Sequence, residues 1–88
     1  MPKREKSKGF GARLKRLRVA LGCKTQIEFA RRAKLPYQTY RQWELFDSAP
    51  SATTLVRAIQ ALDVEEPERL VVWIATGVGQ PPAWLAAG

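Results

Sequence analysis

Apolar residues recur at helical spacing from Phe10 through Leu14, Leu17 and Leu21, and Gly22 follows where a left-handed C-terminal cap belongs. The pattern predicts a first helix. Thr25 with Glu28 three residues on has the capping-box pattern, opening a short second helix expected to bury Ile27, Phe29, Ala30 and Ala33. Pro36 is tolerated only in the first turn of a helix, so it closes that element and starts a third, read onward from Tyr37 with Tyr40 and Trp43 inward. DSAPS is turn chemistry, after which Ser51 or Thr53 can cap a fourth helix with Leu55, Ile59 and Leu62 on its inner face. Glu66-Pro67-Glu68 opens a fifth, whose run LVVWIAT ends at Gly77. The tail VGQPPAWLAAG has two Gly, two adjacent Pro and no period, and is expected to be extended or loosely packed. The expected class is all-α with five helices: an arm over 1–9, one domain over 10–77, and a tail over 78–88.

The 88 residues allow one small core and no deep cleft between lobes. With no His and one Cys, His-dependent triads, His/Cys metal sites and an intramolecular disulfide are all excluded. No nucleophile has a candidate base beside it in sequence. The expectation is therefore no enzyme, no cofactor and no metal. No segment approaches the roughly 18 apolar residues of a membrane span, and no apolar stretch follows the charged start MPKREKSK. These features point to a cytoplasmic protein of bacterial, plasmid or phage origin.

Charge sharpens the picture. The net +7 divides unevenly: thirteen basic and three acidic residues lie up to Glu44, against two basic and five acidic from Leu45 onward. A surplus of ten on the first half implies a polyanionic partner there, nucleic acid before membrane.

In TQIEFARRAKLPYQTYRQWE a short helix, a tight turn and a second helix follow one another, the arrangement of a helix-turn-helix. Phe29, Ala33, Leu35, Tyr40 and Trp43 would share one core, leaving Tyr37, Gln38, Arg41 and Gln42 outward. With these residues in place, Phe10–Leu62 resembles the phage lambda repressor and Cro family, also called the XRE family. RLKRLRVALG resembles the family's first helix, TQIEFA its second, LPYQTYRQWE its recognition helix and PSATTLVRAIQALDV its fourth. VVWIATG resembles its W-L-L-x-G ending. Two positions depart from the family pattern: Lys34 stands where the turn usually has Gly, and Phe46 stands where Gly commonly follows the third helix.

A recognition helix lies in the major groove, where Gln pairs with adenine and Arg with guanine. Tyr37, Gln38, Arg41 and Gln42 are thus the base-reading candidates, set against the plainer reading of a solvated helix face. The backbone-contact candidates are Thr25, Gln26, Thr39, Arg16, Arg32 and Lys34; the resemblance implies that Gln26 bonds a phosphate at a helix N-terminus. It also implies a structural pair between Arg18 and Glu44. Cys23 reads as a small half-buried side chain. Five successive large apolar residues, Leu70 to Ile74, exceed what one core can face, so Leu70, Val71, Trp73, Ile74 and Trp84 are expected at a dimer contact, unless the PPAW tail covers them.

The resemblance and the patterning together imply a dimeric, sequence-specific repressor on a palindromic operator of double-stranded DNA. An antitoxin of the same fold, bound to a toxin protein and its own operator, is the alternative; a nonspecific DNA coater is a third. Protein partners in view are a toxin or RNA polymerase. No membrane role is expected.

Overall fold

The computed structural model describes residues 9–87; the expected arm, apart from Gly9, and Gly88 lie outside the described residues. Among those described there are six helices and no strand: α1 (Phe10–Ala20), α2 (Gln26–Arg32), α3 (Tyr37–Phe46), α4 (Ala52–Leu62), α5 (Pro67–Thr76) and α6 (Ala83–Ala87). The all-α class stands, and the count of five is corrected to six.

Local chemistry sets the ends. After α1, Gly22 takes a left-handed φ of 79°. Its N–H donates to Val19 O and that of Cys23 to Arg18 O, both at 3.0 Å, which closes the last turn. Thr25 Oγ1 accepts from Glu28 N at 3.1 Å while Glu28 Oε1 accepts from Thr25 N at 3.1 Å, the reciprocal box that starts α2. The end of α2 repeats the closure of α1 with a lysine in the glycine's place. Lys34 has φ 59°, its N–H donates to Arg31 O at 3.2 Å, and Leu35 N–H donates to Ala30 O at 2.8 Å. A Cβ in this region costs about 1 kcal/mol, so the turn keeps the family geometry under strain. Ser51 caps α4 by accepting from Thr54 N, and Pro67 is the first residue of α5.

Helix α3 packs on α1 and α2, while α5 packs on α4 and α1. Phe10, Leu14 and Leu17 of α1 form the shared centre of the core. The α1–α3 approach is close enough to require glycine: a Cβ on Gly11 would stand 2.1 Å from Glu44 O. Beside it, Asp47 Oδ1 accepts from Gly11 N at 2.7 Å, so the residue that follows α3 caps α1 across the crossing. The departure at Phe46 is absorbed here. Helix α3 continues through Phe46, and Asp47 takes the left-handed cap at φ 53°.

Three expectations are corrected by packing. The tail is not loose: Pro81, Pro82 and Leu85 are buried, and Trp84 Nε1 donates to Glu65 O at 2.9 Å. Leu70, Trp73 and Ile74, expected at a dimer contact, are buried inside the chain's own core, with Leu85 of the tail among their company. Ile27, expected inside, is 48% exposed, because α2 turns only Phe29, Ala30 and the following Ala33 toward the core. A seven-residue helix has one narrow buried stripe, and Ile27 falls outside it.

Replacing Lys34 with Gly should relieve the left-handed strain, less what glycine's freedom in the unfolded chain takes back, leaving a gain of roughly 0.5 kcal/mol. Thermal denaturation of Lys34→Gly should show a midpoint higher by a few degrees; a lower midpoint would contradict the placement of residue 34.

Candidate nucleic-acid interface

Helix α3 is fixed from beneath by its two inward aromatics. Tyr40 stacks on Phe29 of α2, ring centroids 4.6 Å apart, and Trp43 meets Phe10 of α1 at 6.5 Å with planes inclined 60°. The opposite side is left to solvent. Tyr37, Gln38 and Gln42 are exposed there, while Thr39 and Arg41 are half-buried. Residues three, four and seven apart share a helix face, so Gln38, Arg41, Gln42 and Leu45 form one outer strip. Leu45, half exposed, is absent from the sequence-based candidates although its spacing from Gln38 marks it.

The base of α3 is held by one carboxylate. Glu44 Oε2 accepts from Arg18 Nε at 2.9 Å, and Glu44 Oε1 accepts from Arg18 NH2 at 3.3 Å. Tyr40 Oη also donates to Oε2, and Gln26 Nε2 donates to Oε1 at 2.7 Å. The Arg18 guanidinium continues the chain of bonds through NH1, donating to Cys23 O at 3.2 Å and Lys24 O at 3.0 Å. The ion-paired side chains are 10% and 4% exposed. Burial alone would push the Glu44 carboxyl upward, but the hydrogen bonds from Arg18, Tyr40 and Gln26 hold it below its ordinary value. Burial works against the Arg18 charge as well and is outweighed by Glu44, so Arg18 is raised. Tyr40 is raised by burial first and by Glu44 second. The network joins α1, the α1–α2 loop, the first residue of α2, and α3.

The backbone-contact candidates divide. Thr25, Gln26, Thr39 and Lys34 lie on α2's start, on α3 or in the turn between them. Gln26, expected to bond a phosphate, gives one N–H of its amide to Glu44. Arg16 and Arg32 are not gathered with them. The Arg16 guanidinium sits 5.5 Å over the Trp73 ring in α5. Arg32 NH1 donates to Leu21 O at 3.1 Å, satisfying the end of α1. Arg13 does the same for α5, its Nε donating to Ile74 O at 2.9 Å, and burial lowers its pKa. Sequence patterning counts such residues as charge and cannot see the carbonyls they serve.

A short capped helix, a left-handed turn and a second helix with a polar outer strip, all braced from below, define a helix-turn-helix DNA-binding domain. The helix-turn-helix family profile matches residues 14–69 of the chain. The chain belongs to that family, in its XRE, lambda repressor-like form, and is a DNA-binding transcription regulator. No curated protein and no solved structure matches it. No helix among the described residues is long and apolar enough to cross a membrane.

Because Glu44 is lowered in the fold, its contribution is complete above the ordinary carboxyl value of 4.5 and is lost as pH falls through the lower folded value. Glu44→Gln should cost roughly 3 kcal/mol at pH 7, since it leaves the Arg18 charge buried and unpaired. The gap between wild type and variant should narrow as pH falls below 4.5. Urea unfolding at a series of pH values measures both; a gap independent of pH would deny Glu44 this role.

Proposed function

We propose that this protein is a sequence-specific transcriptional repressor that binds a palindromic operator as a dimer. The observation that carries the reading is the outer strip of exposed Gln38 and Gln42 with half-buried Arg41, on a helix whose orientation is fixed through Glu44. Gln38 and Gln42 are suited to bidentate pairing with adenine, and Arg41 to guanine. Tyr37 at the tip is suited to a thymine methyl or a phosphate. Thr25, Thr39 and Lys34 would flank the groove, and the N–H groups at the start of α2 would meet a phosphate. Repression would follow from steric exclusion of RNA polymerase.

A dimer would place two recognition helices about 34 Å apart, one turn of the duplex. With Leu70, Trp73 and Ile74 taken by the core, the large apolar side chains left at the surface of α5 are Val72, 54% exposed, and half-buried Val71. These line a groove of about 250 Å³ between α4 and α5 with Val56, Ile59 and Pro67, and Val78 is exposed beyond it. Trp84 would lie outside this contact. The same valine face also fits the second reading, an antitoxin that covers it with a toxin.

Operator sites selected from random duplexes supply the test ligand. Gln38→Ala and Gln42→Ala should each lose about 1–3 kcal/mol on the selected site and flatten discrimination there. Equal loss on selected and random DNA would sink the base-reading assignment. In sedimentation equilibrium without DNA the wild type should dimerise at micromolar concentration and Val72→Glu should not. A wild type that stays monomeric would remove the dimer and leave the valine face to a different partner.

A further inference from the structure

A second surface lies away from α3. Helices α1 and α6 enclose an open groove of about 670 Å³ whose apolar walls are Ala12, Val19, Leu85 and Ala86 and whose charged lining is Lys15 and Arg16. Val19 is 61% exposed there. Around α1, successive residues advance by about 100°, which puts the middle of this strip about 120° from the side that meets α3 at Gly11 and Arg18, with Lys15 the lining residue nearest to that side. No acidic side chain among the described residues lines the groove.

We propose that the α1–α6 groove docks an acidic amphipathic helix of a partner protein, independently of DNA on α3. Three features argue for a helix of this kind. The alanines at 12, 20 and 86 keep the walls low, so a backbone can approach closely. The two cations are the complement of flanking carboxylates. Arg16 is already fixed on the Trp73 ring, which positions its charge at the rim before a partner arrives. The chain's first eight residues carry Lys3, Arg4, Lys6 and Lys8 against Glu5, the same sign as the rim, and are poor occupants. A second copy offers Glu65, Glu66 and Glu68 on a loop and a first turn instead of along a helix face, with Glu66 paired to Arg69 at 3.3 Å.

The probe is a fluorescein-labelled peptide of about five helical turns with a leucine stripe flanked by glutamates, titrated with the intact protein and followed by anisotropy. Lys15→Glu and Val19→Asn alter exposed positions, and circular dichroism confirms that each variant folds. The peptide should bind the wild type, and each variant should bind it about 10-fold more weakly. A peptide with lysines for glutamates should not bind, and saturating operator DNA should leave the acidic peptide's affinity unchanged. The proposal is overturned if the acidic peptide fails to bind or binds wild type and variants alike. It is equally overturned if DNA displaces the peptide, which would place the site on α3. Self-association of the wild type that both variants abolish would assign the groove to a second copy instead.

Discussion

The Glu44 carboxylate is the constraint on which the DNA-facing half of this molecule turns. It receives four hydrogen bonds from three side chains, Arg18, Tyr40 and Gln26, that belong to three different helices. A helix as short as α3 has few ways to fix its rotation about its own axis. Apolar packing of Tyr40 and Trp43 sets which side is down, yet such contacts tolerate small rotations. A charge-assisted fork from a nearly buried guanidinium does not, because its geometry is planar and directional. The consequence reaches the far side of the helix, where a rotation that displaced Glu44 would also displace Gln38 and Gln42. The same carboxylate couples the two helices of the motif, since Gln26 at the start of α2 is tied to it directly.

A second constraint supports the first. The backbone of α1 at Gly11 lies against that of α3 at Glu44, and Asp47 locks the crossing by capping α1. Glu44 therefore has a fixed side chain and a backbone held against α1 by the neighbouring Asp47 bond. Arg18 reaches it from two turns further along α1, so the pair and the glycine contact act as two points on one line. Tyr40 on Phe29 adds a third point off that line, which is enough to fix the orientation of a rigid rod.

Much of this was legible in sequence because it is local. The capping box at Thr25 and Glu28, the left-handed stop at Gly22, and the proline at the start of α5 depend on residues a few positions apart. What was not legible depends on distant neighbours. The tail has no period because α6 is a five-residue helix behind two prolines, held by Leu85 in the core and by an indole bond to Glu65. Leu70, Trp73 and Ile74 form an apolar run whose excess looked like a subunit contact, yet the tail supplies the missing cover. Apolar counting measures how much surface must be buried and says nothing about which chain segment buries it. The resemblance implies a phosphate contact for Gln26, a residue at the motif's entrance. That one N–H of its amide donates to Glu44 depends on a residue eighteen positions away and is invisible to local patterning.

The charge surplus takes on a different meaning for the same reason. Of the basic residues in the first half, Arg18 is neutralised by Glu44, whereas Arg13 and Arg32 donate to main-chain carbonyls at helix ends. A carbonyl satisfies the hydrogen bond without cancelling the charge. These arginines are therefore held in structural service and yet remain full sources of positive field, a field that decays only over a Debye length of about 8 Å at physiological salt. They can attract a duplex and raise the rate of encounter without touching a phosphate. On the proposed reading the backbone contacts fall to groups beside α3, chiefly Lys34, Thr25, Thr39 and the N–H groups of α2, and the affinity that survives added salt to the base-reading strip. Net charge thus overstates the contacts and not the attraction, and a basic half-chain can be both a scaffold held by its arginines and a surface that draws DNA.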